Sequence, residues 1–180
     1  MATFPVVIDA CVLFNAPVRD TLLRAAEYGA FRVHWSQKIL DETTKNLVER
    51  KKMNETQAAH LVSEMSKAFP EAMTEVPQSQ VDAIRNDPKD RHVAACAVCA
   101  SAEVICTFNV SDFKPEDLPN TNIEAQNPDQ FLCFLFDLSQ ETMMRVLTEQ
   151  ASDLKEIDLD KLLGLLQKHV PDFVENIKKR

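Results

Sequence analysis

Apolar runs and polar breaks alternate along most of the chain with two different periods. FPVVID is a short, β-branched run that stops at Asp9, which predicts a buried strand. In PVRDTLLRAAEYG, Leu22, Leu23 and Ala26 recur at helical spacing, with Gly29 as the stop. FRVHW alternates as a second strand does. SQKILDETTKNLVERKK then reads as a helix with Ser36 as N-cap and basic residues at its end. NETQAAHLVSEMSKAF carries a capping box, Asn54 with Gln57 three positions on, and Pro70 closes it. MTEVP predicts a short strand and EVICTF another. Between them NDPKDRHVAACAVC predicts a helix with Asp87 as N-cap and Pro88 in its first turn. Strands alternating with helices in this way predict an α/β fold with a mainly parallel sheet.

Past residue 137 the character changes. SQETMMRVLTEQASDL and DLDKLLGLLQKHVPDFVENIKKR read as helices, with Leu162, Leu163, Leu165, Leu166, Val170 and Phe173 on an amphipathic pattern. The expected organisation is an α/β domain over residues 1–137 and a helical C-terminal extension over 138–180.

Composition narrows the picture. At 180 residues and 45% hydrophobic, the chain can bury a core without disulfides or a structural metal. Five cysteines, scattered through apolar stretches, suit a reducing compartment, so the expected location is cytoplasmic. No run approaches the ~20 apolar residues of a membrane span, and the start lacks the basic flank of a signal peptide. The net charge of −8 weighs against a nonspecific nucleic-acid binder, although bound cations reverse such a field locally. Two glycines with no G-x-G cluster exclude a glycine-rich phosphate loop.

The chemistry-bearing residues sort unequally. Cys96 and Cys99 form a single pair, where a structural zinc site needs two, and they fall too far into a helix for a redox motif. Among alanines, they read as helix packing. His92 reads as a first-turn histidine bonded to a neighbouring carboxylate or carbonyl, with no serine or cysteine nucleophile beside it. The acids carry more. Asp9 ends one strand, while Asn109 and Asp112 follow another. In an open parallel sheet these strand ends share the edge where ligands bind, and a helix starting at Asp87 or Asp90 can begin there too. Glu42 lies on a Lys38/Glu42/Asn46 stripe whose innocent reading is a solvated helix face. Carboxylates converging on such an edge call for Mg²⁺ or Mn²⁺, which suits hydrolysis of a phosphodiester.

With these residues in view, the chain resembles the PIN-domain ribonucleases, particularly the VapC-like toxins of toxin–antitoxin pairs. The resemblance rests on VVIDACVLFNAPVRDTLLRAA, VHWSQKILDETTKNL and NDPKDRHVAACAVCASAEVICTFNVSDF. It implies a Rossmann-like α/β/α sandwich with a central parallel sheet. It also implies Mg²⁺-dependent cleavage of RNA, often tRNA or rRNA, a cognate antitoxin and a homodimer. By position, Asp9 resembles the family's first metal-binding acid, Glu42 the second and Asp90, rather than Asp87, the third. The fourth position offers Asn109 where many members have Asp, with Asp112 three residues on. The implied catalytic set is therefore Asp9, Glu42, Asp90 and Asp112. Asp9 and Asp90 would hold the ion, with Glu42, Asp112 and Asn109 supporting it directly or through water. Cys11 stands where relatives commonly carry a hydroxyl or amide. Arg19, Lys89 and Arg91 lie near the acids in sequence and are candidates to steer RNA phosphates. Two other readings stay open: a non-catalytic PIN-like module that binds RNA or a protein, and an RNA-processing nuclease that is not a toxin.

Overall fold

A computed structural model describes residues 3–118, 122–155 and 157–179. Four parallel strands, β1 (Pro5–Ile8), β2 (Arg32–His34), β3 (Val104–Cys106) and β4 (Glu124–Gln126), form one sheet in the order β2-β1-β3-β4. Among the described residues ten α-helices surround or extend it: α1 (Ala10–Leu13), α2 (Ala16–Glu27), α3 (Gln37–Glu49), α4 (Glu55–Ala68), α5 (Gln78–Ala83), α6 (Arg91–Cys99), α7 (Pro128–Leu138), α8 (Gln140–Asp153), α9 (Leu159–Leu166) and α10 (Pro171–Lys178). The expected α/β architecture with a helical C-terminal region is the observed one. Among the described residues no helix is long and apolar enough to cross a membrane.

Local chemistry sets most boundaries. Ser36 caps α3 by accepting the Ile39 N–H, and Asn54 and Gln57 form the reciprocal capping box of α4. Gly29 stops α2 with φ +74°, a left-handed conformation that glycine takes without a Cβ clash. Its N–H donates to Ala26 O and that of Ala30 to Ala25 O, which closes the helix end with paired bonds. The sheet is held from one face by α6, which packs on β1 and β3. Ala94, Ala95, Cys96 and Ala97 are buried there, and their small side chains permit the close approach. Cys99, by contrast, is exposed, so only one of the two cysteines belongs to the packed face.

Three expectations need correction. MTEVP is not a strand: Met73 makes an isolated bridge with Trp35, and the chain then turns at Pro77 into α5. The last predicted helix is two, because Pro171 forces Val170 out of helical geometry and restarts the helix as α10. Regular α6 begins at Arg91 rather than beside Asp87. Asp87 nevertheless organises the preceding turn, since its Oδ1 accepts the Lys89 N–H and its carbonyl accepts from Asp90 and Arg91. The pattern also left α1, α5, β4 and α7 unread. The three β4 residues carry no β-branched side chain, and α5 buries none of its residues, so neither imposes a period.

The C-terminal helices share the core of the sheet domain. One continuous buried cluster runs from Val6 to Ile177. Gln150, fully buried on α8, donates to Pro17 O and accepts from Thr21 Oγ1, which ties α8 to α2. Asp129 on α7 accepts the backbone N–H groups of Asp172 at 3.0 Å and Phe173 at 2.8 Å. Its carboxylate therefore caps the start of α10 from another helix. We expect Asp129→Ala to lower stability by about 1–2 kcal/mol, read from the midpoint of urea unfolding, because one buried and one part-buried donor lose a charged acceptor.

Candidate active site

The sheet order places its switch point between β1 and β3: the chain leaves β1 for β2 on one side and returns to β3 on the other. A crevice opens beyond the carboxyl ends of strands at such a point. The register pairs Ile8 with Cys106, so Asp9 and Thr107 emerge side by side. Thr107 Oγ1 donates to Asp9 Oδ2 at 2.7 Å, and Cys11 Sγ donates to the same oxygen at 3.2 Å. Among the described residues Oδ1 accepts no hydrogen bond and is left for another partner. Burial, with Asp9 adding to it, pushes the Cys11 thiol up to about 12, so it stays neutral and keeps its proton to donate. Cys11 thus fills the supporting place that a hydroxyl or amide would take.

Asp90 stands at the start of α6 without capping it. Its carboxyl is pushed up to about 6, first by burial and then by the charges of Asp112, Asp9, Asp87 and Glu42. The other acids proposed from sequence therefore lie within electrostatic reach of Asp90. Glu42, on α3, approaches His92 Nε2 to 3.1 Å and Lys38 Nζ to 3.8 Å. The His92 contact lacks hydrogen-bond alignment, and both ring nitrogens are buried without a hydrogen-bond partner among the described residues. Its expected carboxylate neighbour is Glu42. Asp112 lies in a single turn of 3₁₀ helix, Val110–Asp112, and is held through its backbone: its carbonyl accepts from Asn86 Nδ2 and its N–H donates to Asn109 O. Asn109 is exposed, and its N–H donates to Thr107 Oγ1.

The candidate cations divide. Lys89 is exposed, and Arg91 is half-buried with Nε donating to Asn86 O. Arg91 also joins Arg85 and Lys114 around a hollow of about 420 Å³ that Asp112 borders. Arg19 has to be corrected: it is buried, its Nη1 donates to Leu13 O, and burial lowers its guanidinium from the usual value. It closes the end of α1 instead of facing a surface. Sequence reasoning missed Thr107 and Asn86. Thr107 reads as one more β-branched strand residue, and Asn86 as a loop amide. Only the β1–β3 register could have paired Thr107 with Asp9.

The profile of the PIN domain matches residues 5–111, which takes in Asp9, Glu42 and Asp90. The chain belongs to the PIN-domain family. Beyond the PIN domain, the profile of the VapC50 C-terminal domain matches residues 128–179, from the start of α7 to the end of α10. Over 101 residues this PIN protein is 34% identical to the "Putative ribonuclease VapC50" of Mycobacterium tuberculosis. That alignment covers 55% of the chain and 60% of the relative's length. No solved structure matches.

Among the described residues no three His, Cys, Asp or Glu side chains stand close enough to chelate an ion directly. The donor set still fits Mg²⁺, which is satisfied with one or two carboxylates and otherwise keeps its waters. Asp9 Oδ1 and Asp90 offer hard oxygens, and the repulsion felt by Asp90 is what a cation would relieve. In the metal-free protein the burial of the Asp90 charge, together with that repulsion, costs stability. The folded state holds the Asp90 proton more tightly than the unfolded chain, whose carboxyl titrates near 3.8. The cost is absent below that value, grows between it and about 6, and is complete above. We expect Asp90→Asn to raise the melting temperature in EDTA at pH 7. The gain, discounted for solvent screening of a half-buried group, is on the order of 1 kcal/mol, and it vanishes at pH 4.

Proposed function

We propose that this PIN domain is a divalent-cation-dependent endoribonuclease and the toxin of a toxin–antitoxin pair. The observation that carries the reading is the gathering of Asp112, Asp9, Asp87 and Glu42 about Asp90 at the sheet's switch point, where burial first and then these charges raise its proton affinity. Membership of the PIN family and the printed name of the mycobacterial relative support it. Asp9 and Asp90 would hold Mg²⁺ or Mn²⁺, with Glu42, Asp112 and Asn109 around them. Such an ion, when bound, lowers the pKa of a water and neutralises charge building on the phosphate oxygens. Thr107 and Cys11 fix one Asp9 oxygen and so aim the other. The 3₁₀ turn positions Asp112, and the neighbouring Arg91, Arg85 and Lys114 offset the acids for an incoming phosphodiester. In-line attack of water on phosphorus breaks the bond to the leaving ribose oxygen, which takes up a proton.

The partners follow from the same reading: an RNA substrate, an antitoxin that covers the acids, and a second copy of the chain. The exposed Phe134 and Leu138 supply apolar surface for a partner. We expect Asp9→Ala and Asp90→Ala each to lower RNA cleavage at least about a hundredfold with unchanged circular dichroism. EDTA should abolish wild-type cleavage and Mg²⁺ restore it. Mg²⁺ should also raise the melting temperature of the wild type but not of either variant, a readout independent of activity. Full cleavage by either variant, or in EDTA, overturns the assignment. Expression should arrest growth, with relief by a co-expressed small DNA-binding antitoxin encoded beside it; growth unaffected by the active enzyme points to an RNA-processing role.

A further inference from the structure

Segment 85–91, which leads into α6, walls the hollow of about 420 Å³ that Asp112 borders. Three cations and three acids line this hollow. Among the described residues, however, Arg85, Arg91 and Lys114 form no ion pair with Asp87, Asp112 or Asp117. Two of the acids have other donors, since Asp87 Oδ1 accepts the Lys89 N–H and Asp112 Oδ1 the Ser111 hydroxyl. The cations are thus left to an anion from outside, and the anion that a nucleic-acid strand brings to the acids is its phosphate. Arg91 is the most closely held of the three. Its Nε donates to Asn86 O at 3.0 Å, which fixes the guanidinium and leaves both terminal nitrogens to fork around a phosphate.

Asn86 itself lines the hollow and holds an unsatisfied atom. The residue is 4% exposed, and its Oδ1 is buried without a hydrogen-bond partner among the described residues. The two ends of the amide are not interchangeable. Nδ2 donates to Asp112 O at 3.3 Å, and a carbonyl can only accept, so the nitrogen takes that side and the oxygen the other. A buried acceptor left unpaired costs free energy, so a ligand that brings a donor into the hollow gains what the free protein lacks. Arg85 and Lys114, both exposed, can swing aside to admit it.

The donor that accompanies a phosphate in RNA is the ribose 2′-hydroxyl. It stands on the carbon next to the one that carries the 3′-phosphate, nearer than the amines of the base. Arg91 and Asn86 are joined by a hydrogen bond, so a phosphate on the Arg91 fork brings a ribose hydroxyl beside the Asn86 amide. DNA has only hydrogen at that carbon and leaves the oxygen unpaired.

We propose that Asn86 reads the sugar: its Oδ1 accepts the 2′-hydroxyl next to a phosphate held by Arg91, Arg85 and Lys114, and so selects RNA over DNA. The assignment rests on the ribonuclease reading, and the experiment separates the two. Fluorescence anisotropy in EDTA reads binding without cleavage. The probes are labelled single strands of one sequence, free of uracil and thymine, made as RNA, as DNA and as 2′-fluoro RNA. The fluoro strand keeps the sugar pucker of RNA but has no hydrogen to donate. We expect the wild type to bind RNA about tenfold more tightly than either other strand. Asn86→Ala should bring the RNA-to-DNA ratio close to one, whereas a purely structural defect weakens both strands alike. The fluoro comparison needs no variant and decides the matter even where Asn86→Ala does not fold. Parallel cleavage assays in Mg²⁺ test the nuclease itself. Equal binding of RNA and DNA, a fluoro strand bound as tightly as RNA, no measurable RNA binding, or a ratio unchanged in folded Asn86→Ala overturns the assignment, whether or not cleavage occurs. RNA-selective binding with no cleavage in Mg²⁺ or Mn²⁺ supports it and overturns the nuclease.

Discussion

Like charges gathered on a half-dry edge repel one another, and everything at the carboxyl end of this sheet is arranged to keep them there regardless. Asp9 is pinned through one oxygen by Thr107 and Cys11, Asp112 is fixed by a 3₁₀ turn and the Asn86 amide, and Glu42 rides on a capped helix. None of these supports neutralises the acids; each restrains a carboxylate or its backbone. The result is a site whose unfavourable field is left in place, with Asp90 bearing much of it. That is the usual trade between stability and function, made at one edge of the fold while the rest of the molecule stays conventional.

The stability that opposes this repulsion comes from the core, and the C-terminal helices are part of it. Leu162, Leu166, Val170 and Phe173 are fully buried in the same cluster as the strands. Gln150 and Asp129 add hydrogen bonds that bind helices distant in sequence. An amphipathic tail read in isolation is equally consistent with a partner groove. In the folded chain most of its apolar stripe is already occupied, while Leu138, Leu154 and Leu165 remain exposed.

How legible the fold and site were depended on whether the signal was local. Caps and stops, such as Ser36, the Asn54–Gln57 pair and Gly29, act within a few residues and were readable in advance. Asp9 and Asp112 stood out as candidates because strand ends in a parallel sheet share an edge, which is a rule of topology. Topology also allowed a helix start at Asp87 or Asp90 on that edge, but the choice of Asp90, and any meaning for Glu42 on its helix face, came from the resemblance to PIN ribonucleases. Thr107, Asn86 and the burial of Arg19 depend on contacts between segments distant in sequence or on how a helix packs. Their side chains carry no periodic or local mark. The short β4 and the unburied α5 failed for a related reason: elements that impose no period are positioned by their neighbours.

The pairing of Ile8 with Cys106 has a consequence for how this chain can change over time. Side chains along a strand alternate between faces, so slipping that ladder by one residue would turn Thr107 away from Asp9. Either strand accepts many apolar substitutions, but neither accepts an insertion or deletion before its last residue. The geometry of the candidate site is in this sense a matter of counting, measured along two strands from Pro5 and Val104. The loops beyond the sheet's other end are free to vary in length.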